Sequence, residues 1–143
     1  QVFVVRADSD ITTLADLAGK AVAVQVDSSA EAALADNPDL VNTFGEYVAV
    51  SDYTSALMDL EAGGVDVVAM DEIVANYQIE KKSGKYKVLE ERLSEEEYGV
   101  GFLLGNEELR DKLQSVLEEM AEDGTMKRIS DEWFGKDLTT IGK

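Results

Sequence analysis

Short apolar runs alternate with helical patterns along most of the chain, and this alternation constrains the fold more than any other feature. Runs at 21–25, 47–50, 65–70 and 86–89 have the length and the β-branched content of strands, and a helical pattern separates each from the next. Strands that alternate with helices form βαβ units, in which the strands are parallel and buried on both faces. The sequence therefore predicts an α/β fold with a small, doubly wound, mainly parallel sheet.

The two ends of the chain have different patterns. Residues 1–6 also have the composition of a strand, with no cap or turn ahead of them. Residues 98–104 predict one more strand, after which the chain becomes helical. The first helix of this tail carries an apolar stripe at steps of three and four, formed by Leu109, Leu113, Val116, Leu117 and Met120. The acidic run at 94–97 marks the best candidate boundary between the α/β part and the tail.

Two of the predicted strand-to-helix junctions carry polar residues. The strand at 65–70 ends at Asp71, and the strand at 21–25 runs into Ser28 and Ser29. In an open α/β sheet, ligands bind outside the carboxyl ends of the strands where the strand order reverses, and a common doubly wound order places these two strands side by side. One junction offers an anion to a cation, and the other offers hydroxyls and N–H groups to an anion. A free amino acid carries both charges.

Both junctions also have a purely structural explanation. Aspartate is a preferred N-cap, and Ser28 followed by Glu31 matches the capping box of a helix start. Ser29 lies one residue beyond that cap. A capping residue can still contact a ligand, so the two roles are compatible.

Charge and residue types exclude several classes of function. The chain has 13 basic and 30 acidic residues, a net charge of -17, and would repel nucleic-acid backbones and anionic lipid. It has no cysteine and no histidine, which excludes the usual zinc sites and Ser-His or Cys-His nucleophiles. The glycines at 99–101 lie in a predicted strand, and Gly105 falls one residue late for a dinucleotide fingerprint. We therefore predict no catalytic residues, no metal, no cofactor and no nucleic-acid partner.

Several segments carry a resemblance to a known family through their order and spacing: 1–5, 14–25, 56–63, 65–68, 98–102, 108–112 and 123–135. In these segments the chain resembles the polar amino-acid-binding proteins of ABC transporters, the bacterial extracellular solute-binding proteins of family 3. That family has two α/β lobes, joined by a hinge, that close on the ligand.

The resemblance implies a division of the chain between the two lobes. Residues 7–95 would form the second lobe, residues 1–6 a strand of an incomplete first lobe, and residues 96–143 the hinge return and C-terminal helices of the first lobe. The first-lobe segment that supplies the family's carboxylate-binding arginine and aromatic clamp would precede Gln1. The apolar stripe of the tail would normally pack on that lobe, so we expect self-association of the chain by itself.

The resemblance also implies roles for residues of the two junctions. Asp71 corresponds to the counter-ion of the ligand α-ammonium group. Ser29, with Ser28 beside it, corresponds to the hydroxyl that binds the ligand carboxylate, and we count Gln25 at the end of the preceding strand with this set. Asp27 stands where the family usually has glycine, which places a negative charge beside the expected carboxylate position.

The function that follows is binding and delivery without chemistry. We expect an extracytoplasmic component of an amino-acid ABC uptake transporter, located in the periplasm or, in a Gram-positive bacterium, on the cell surface as a lipoprotein. Its partners would be a free polar amino acid and a membrane permease. Two alternatives remain: an enzyme of related fold, of dehydratase or transferase type, and a doubly wound signalling receiver domain.

Overall fold

The strands lie where the apolar runs predict them. The computed structural model describes residues 1–82 and 84–142, and its contacts divide the chain into two units, Gln1–Glu95 and Glu96–Lys143. The first unit contains, in order, β1 (Val2–Arg6), a 3-10 helix (Leu14–Leu17), β2 (Ala21–Gln25), α1 (Ser29–Ala35), α2 (Pro38–Val41), β3 (Glu46–Val50), α3 (Tyr53–Ala62), β4 (Val67–Met70), α4 (Glu72–Lys81) and β5 (Tyr86–Val88). The second contains α5 (Glu107–Glu122) and α6 (Thr125–Phe134). The boundary coincides with the composition change near residue 95.

The five strands form one sheet in the order β3-β2-β4-β1-β5. β2 is parallel to β3 and to β4, which confirms the α/β class and the expected adjacency of the strands at the two junctions. β1 lies between β4 and β5 and is antiparallel to both. β5 therefore runs parallel to β4, and β1 is the one reversed strand of this sheet.

The assignment of residues 1–6 to the first lobe is corrected by the sheet. Val2 pairs with Met70 in β4, and Arg6 pairs with Tyr86 in β5. These residues therefore belong to the same unit as residues 7–95. A strand pattern predicts an extended segment but not its neighbours, because pairing depends on residues far away in the chain.

The sheet is covered on both faces, as its apolar strands predict. Val2 and Val4 point into a core that contains Leu57, Leu60 and Met70 beneath α3 and α4. Alternate residues of the strands point into a second core on the opposite face, which contains Phe3, Val5, Leu17, Val24 and Leu34. The central strand β4 is buried along its whole length. A two-sided core of this kind gives the junctions a rigid support.

A second, short helix follows α1. The helix after β2 ends at Ala35, and Pro38 opens the short helix α2. Proline is tolerated at the first position of a helix because its missing N–H has no intrahelical partner there.

The second unit differs most from expectation. Residues 98–104 were predicted to be a strand, but they form no strand in the structure, and Leu103 and Leu104 are 83% and 100% exposed. A strand needs a hydrogen-bonded neighbour, and every strand of the described residues lies in the sheet of the first unit. α5 is helical as predicted, but none of its residues is buried. Its apolar stripe is therefore at least partly exposed.

Candidate functional site

The two polar junctions lie at the same edge of the sheet. In the parallel pairing of β2 with β4, Val22 lies opposite Val67 and Val24 lies opposite Ala69. Adjacent strands are about 4.8 Å apart. The carboxyl end of β2, which leads into α1, is therefore next to the carboxyl end of β4, which leads into α4.

Asp71 is the N-cap of α4 and is nearly buried, with 8% of its surface exposed. Its Oδ1 atom accepts hydrogen bonds from the backbone N–H groups of Ile73 at 2.8 Å and Val74 at 3.1 Å. These contacts satisfy two of the N–H groups that a helix start leaves without an intrahelical partner. They also fix a carboxylate at the carboxyl end of β4.

Ser28 is the N-cap of α1, and its hydroxyl both accepts and donates a hydrogen bond. Its Oγ atom accepts a hydrogen bond from the N–H of Glu31 at 3.1 Å and donates one to the backbone carbonyl of Gln25 at 2.7 Å. Ser29 is the first residue of α1 and is exposed. Of the two serines, Ser29 is thus the one whose hydroxyl is open to solvent, whereas Ser28 holds the turn together.

Asp27 adopts a left-handed backbone conformation, with φ of 56°. This conformation favours glycine, and aspartate is one of the few other residues that tolerate it. The Asp27 N–H donates to Oε2 of Glu31 at 2.7 Å, so the Glu31 carboxylate closes the turn. Two acidic side chains consequently flank the start of α1.

The four residues predicted for the site are distributed over these two junctions. Asp71 stands at one, and Gln25, Ser28 and Ser29 stand at the other, so the topology brings all four to one edge of the sheet. Gln25 contributes its backbone carbonyl to the turn, as the acceptor of the Ser28 hydroxyl. Their roles toward a ligand remain predictions.

Gln1 is a residue of this edge that the sequence reasoning missed. Because β1 is antiparallel to β4, its first residue lies beside the end of β4, and the Gln1 side-chain Nε2 lies 3.4 Å from Oδ2 of Asp71. Gln1 is 5% exposed. In the sequence, Gln1 is a polar residue directly ahead of an uninterrupted apolar strand. Its contact with Asp71 could not be predicted from this pattern, because the contact depends on the direction of β1.

An ion pair lies next to Asp71. Glu72 is the first residue of α4, and its Oε2 lies 3.2 Å from Nη2 of Arg92. The Arg92 guanidinium is thus directed at a carboxylate of the protein.

A separate cavity of about 800 Å³ opens on the outer side of α1, α2 and β3. Its lining includes Ser28, Pro38 and Tyr47, but neither Asp71 nor Gln1. Burial and the nearby Glu31 carboxylate raise the pKa of the Tyr47 phenol. This cavity shares only the rim of one junction with the predicted site and does not include the acid on which the interpretation depends.

Two kinds of feature are absent from the residues that the structure describes. Among residues 1–82 and 84–142, no group of three or more histidine, cysteine, aspartate or glutamate side chains is arranged to hold a metal ion. Within those same residues, no helix has both the length and the apolar character that a membrane crossing requires.

The sequence is similar to known transport proteins. A family model described as "ABC transporter, phosphonate, periplasmic substrate-binding protein" matches residues 1–140. The chain is 31% identical over 132 residues to the L-cystine-binding protein TcyJ of Escherichia coli (strain K12). The matched residues cover 92% of this chain and 48% of the relative. It is 30% identical over 127 residues to the ABC transporter arginine-binding protein 1 of the same organism, covering 85% of this chain and 50% of the relative. The chain thus spans about half the length of the curated relatives it matches.

Solved structures give the same result for the fold. A substrate-binding protein of an ABC uptake transporter from Streptococcus pneumoniae, determined with bound histidine, matches with a TM-score of 0.78 and 30% identity, over 97% of this chain and 58% of that chain. A polar amino acid ABC uptake transporter substrate-binding protein from Streptococcus thermophilus matches with a TM-score of 0.75 and 31% identity, over 97% of this chain and 55% of that chain.

These matches agree with the family resemblance seen in the sequence. The family and the structural neighbours are transport binding proteins and not enzymes. The periplasmic description of the family supports an extracytoplasmic location. The chain belongs to the family of periplasmic substrate-binding proteins of ABC transporters.

Proposed function

We propose that this chain is the ligand-contacting half of a binding protein for a free polar amino acid, and that it serves an ABC uptake transporter. The observation that carries the proposal is the nearly buried Asp71 carboxylate at the carboxyl end of β4, next to the junction of β2 with α1. Relatives named for cystine and arginine, and a structural neighbour with bound histidine, support an amino acid as the ligand class.

In this proposal the two charges of the amino acid contact different junctions. The α-ammonium group binds the Asp71 carboxylate, and the α-carboxylate contacts the exposed hydroxyl at Ser29 beside Ser28, with Gln25 supporting the turn. A charge-assisted hydrogen bond between ammonium and carboxylate is about twice as strong as a neutral one. Because Asp27 and Glu31 flank the second junction, the ammonium contact contributes more of the affinity than the carboxylate contact does on this half of the site.

We further propose that residues 1–95 form one lobe of a two-lobed protein, and that residues 96–143 complete the other lobe together with chain that precedes Gln1. Closure of the lobes would bury the ligand, and the closed form would be recognised by a membrane permease. The protein would act in the periplasm, or on the cell surface as a lipoprotein in a Gram-positive bacterium. It would bind and release its ligand without chemical change.

Titration calorimetry tests the proposal. L-Cystine, L-arginine, L-histidine and L-glutamine are titrated into a two-lobed protein that carries this chain and, in parallel, into the 143 residues alone. We expect one of them to bind the two-lobed protein at about micromolar affinity, or about 8 kcal/mol, and the 143 residues to bind far more weakly. Tight binding by the 143 residues alone would overturn the two-lobe assignment.

A phosphonate ligand is a second candidate, because the matching family model is described for phosphonate. Methylphosphonate and 2-aminoethylphosphonate therefore join the titrations. A bare phosphonate is an anion and would face the Asp71 carboxylate unfavourably, so we expect methylphosphonate not to bind. Binding of methylphosphonate in preference to every amino acid would refute the assignment of Asp71 as an ammonium counter-ion.

Self-association is a separate proposal for the 143 residues by themselves. Leu109 and Val116 of the α5 stripe are 52% and 41% exposed. Large apolar patches on a folded protein are usually covered by a partner, and a second copy can supply that cover. Sedimentation velocity at about 50 micromolar should detect a species larger than a monomer, whereas a clean monomer that binds no apolar dye would contradict the proposal.

A further inference from the structure

Gln1 and Asp71 lie opposite each other at the ends of the adjacent strands β1 and β4. The antiparallel register pairs Val2 with Met70, so the residues just outside this pair are Gln1 and Asp71. Side chains directly opposite on neighbouring antiparallel strands have Cβ atoms about 4.5–5.5 Å apart. Gln1 and Asp71 are 5% and 8% exposed, so this contact is nearly closed to solvent.

The two carboxylate oxygens of Asp71 have different partners. Oδ1 accepts the N–H groups of Ile73 and Val74, whereas Oδ2 faces the side-chain amide of Gln1 at 3.4 Å. The helix cap fixes one oxygen, and the Gln1 amide restricts the other. Together these contacts define the rotation of the carboxylate about its Cβ–Cγ bond.

The backbone of Gln1 is itself held in place. Its carbonyl accepts hydrogen bonds from the N–H groups of Leu93 at 3.0 Å and Ser94 at 3.4 Å. Its backbone nitrogen donates a hydrogen bond to the carbonyl oxygen of Ser94 at 2.7 Å. On its other side, the strand that begins at Val2 is bonded to β4. The Gln1 side chain therefore extends from a backbone that is tied on both sides.

A neutral donor has a particular advantage at this position. A carboxylate oxygen has two lone pairs, so the Gln1 amide occupies only one acceptor position of Oδ2. A lysine or arginine in the same place would neutralise Asp71 and compete with a ligand ammonium group. An amide restricts the carboxylate without neutralising its negative charge.

We propose that Gln1 is a positioning residue for ligand recognition: its side-chain amide holds the Asp71 carboxylate in the orientation that receives the α-ammonium group of the ligand. This inference rests on the proposed function. It adds β1, through Gln1, to the two strand-to-helix junctions as a third contributor to the site. Preorganised polar groups bind charge more strongly than mobile ones because they need no reorientation when the ligand arrives.

The first arm of the test needs no ligand and uses the two-lobed protein, in which Gln1 lies within the chain and cannot cyclise to pyroglutamate. Hydrogen exchange of side-chain amides, followed by NMR, compares Gln1 with Gln114, an exposed glutamine of α5 whose amide also contacts a carboxylate, that of Glu118. We expect the Gln1 amide protons to exchange about tenfold more slowly or slower still, because their contact is shielded from solvent. Equal exchange rates would show that the Gln1 contact does not form and would overturn the proposal.

The second arm measures binding in the two-lobed protein with L-cystine, L-arginine, L-histidine and L-glutamine. Gln1→Met keeps the length of the side chain but removes the donor, and it should weaken the best of these ligands about three- to tenfold. Gln1→Glu places a like charge opposite Asp71 and should weaken it by about tenfold or more. Gln114→Met makes the same substitution as Gln1→Met at an exposed site and should leave the affinity unchanged.

One measurement is specific to positioning. It is the ratio of the affinity for an amino acid to the affinity for its α-hydroxy-acid analogue, which lacks the ammonium group. Gln1→Met should reduce this discrimination while the amides of Ile73 and Val74 keep their protection from exchange. Unchanged affinity and discrimination would overturn the role of Gln1 alone. If the protein binds none of the four amino acids although the Gln1 amide is protected, the proposed function fails and the role of Gln1 fails with it.

Discussion

The two strand-to-helix junctions are built from the same local pattern but hold their polar groups differently. At the end of β4, Asp71 is nearly buried, and both of its oxygens have protein contacts. At the end of β2, Ser28 is half-buried and uses its hydroxyl to close the turn, while Ser29 is exposed. One junction presents a fixed charge, whereas the other presents a helix start whose main polar group is already used.

Under the proposed function, a helix cap and a binding group are separable roles. Asp71 can fill both because a carboxylate has about four acceptor positions, and the helix occupies only part of them. A serine hydroxyl has one donor and two acceptor positions, and Ser28 uses its donor and one acceptor within the turn. The charged junction should therefore dominate binding, and the hydroxyl junction should dominate local stability.

Removing the charge of Asp71 should have the largest effect. In the two-lobed protein, Asp71→Asn keeps the size and the capping ability of the side chain, so stability should change by well under 1 kcal/mol. Affinity for the amino acid should fall roughly ten- to hundredfold, because a charge-assisted hydrogen bond contributes about 1.5–3 kcal/mol. Calorimetry and denaturant unfolding measure the two quantities separately. Wild-type affinity in this variant would reduce Asp71 to a helix cap.

Removing the cap of the other junction should affect stability more than affinity. Ser28→Ala leaves the N–H of Glu31 and the carbonyl of Gln25 without their side-chain partner and should cost about 1 kcal/mol of unfolding free energy. Ser29→Ala is the matched control and should cost less than about 0.5 kcal/mol, because that hydroxyl is exposed. Urea unfolding of the 143-residue chain compares them. Equal costs would mean that the two serines are not distinguished as the structure describes.

Asp27 should have a smaller effect on stability. Asp27→Gly suits the left-handed conformation with φ of 56°, and it should stabilise the chain by roughly 0.5 kcal/mol after the greater freedom of glycine in the unfolded state is subtracted. Asp27→Asn removes only the charge and should strengthen binding of the amino-acid carboxylate by about twofold. If Asp27→Asn weakens binding instead, Asp27 itself contacts the ligand and the second junction must be reinterpreted.

An acid at the opposite edge of the sheet should have the smallest effect on binding. It serves as a control for Asp71. Hydrogen bonds from Lys82, Lys85 and Tyr86 lower the pKa of the Glu61 carboxyl to about 2 from its ordinary value of 4.5. A lowered pKa in the folded chain stabilises it above the ordinary pKa, and this contribution is lost as the pH falls from 4.5 to about 2. Glu61→Gln should flatten the pH dependence of unfolding in that window.

The same variant should leave binding unchanged, since Glu61 lies near the start of β5, whereas Asp71 follows the end of β4. The comparison of Glu61→Gln with Asp71→Asn therefore distinguishes the general effect of removing one carboxylate from the specific effect of removing the carboxylate at the junction. A similar loss of affinity in both variants would indicate a general effect of net charge rather than a site.

Local patterns predicted most elements and both caps. The capping positions of Asp71 and Ser28 could be read from the sequence because a cap depends on residues within one helical turn. The adjacency of β2 and β4 could be expected from the general rule for doubly wound sheets. The strand at 98–104 could not be judged in the same way, because a strand forms only when another strand pairs with it.

What the sequence alone determined is thus the set of chemical groups at the two junctions and the elements that carry them, since periodicity and capping act over a few residues. Only the tertiary structure decided that β1 runs antiparallel between β4 and β5, and thereby that Gln1 meets Asp71. These two residues are 70 positions apart. Contacts at such separations depend on strand order, direction and register, which are set by the burial of the whole sheet and not by any local segment.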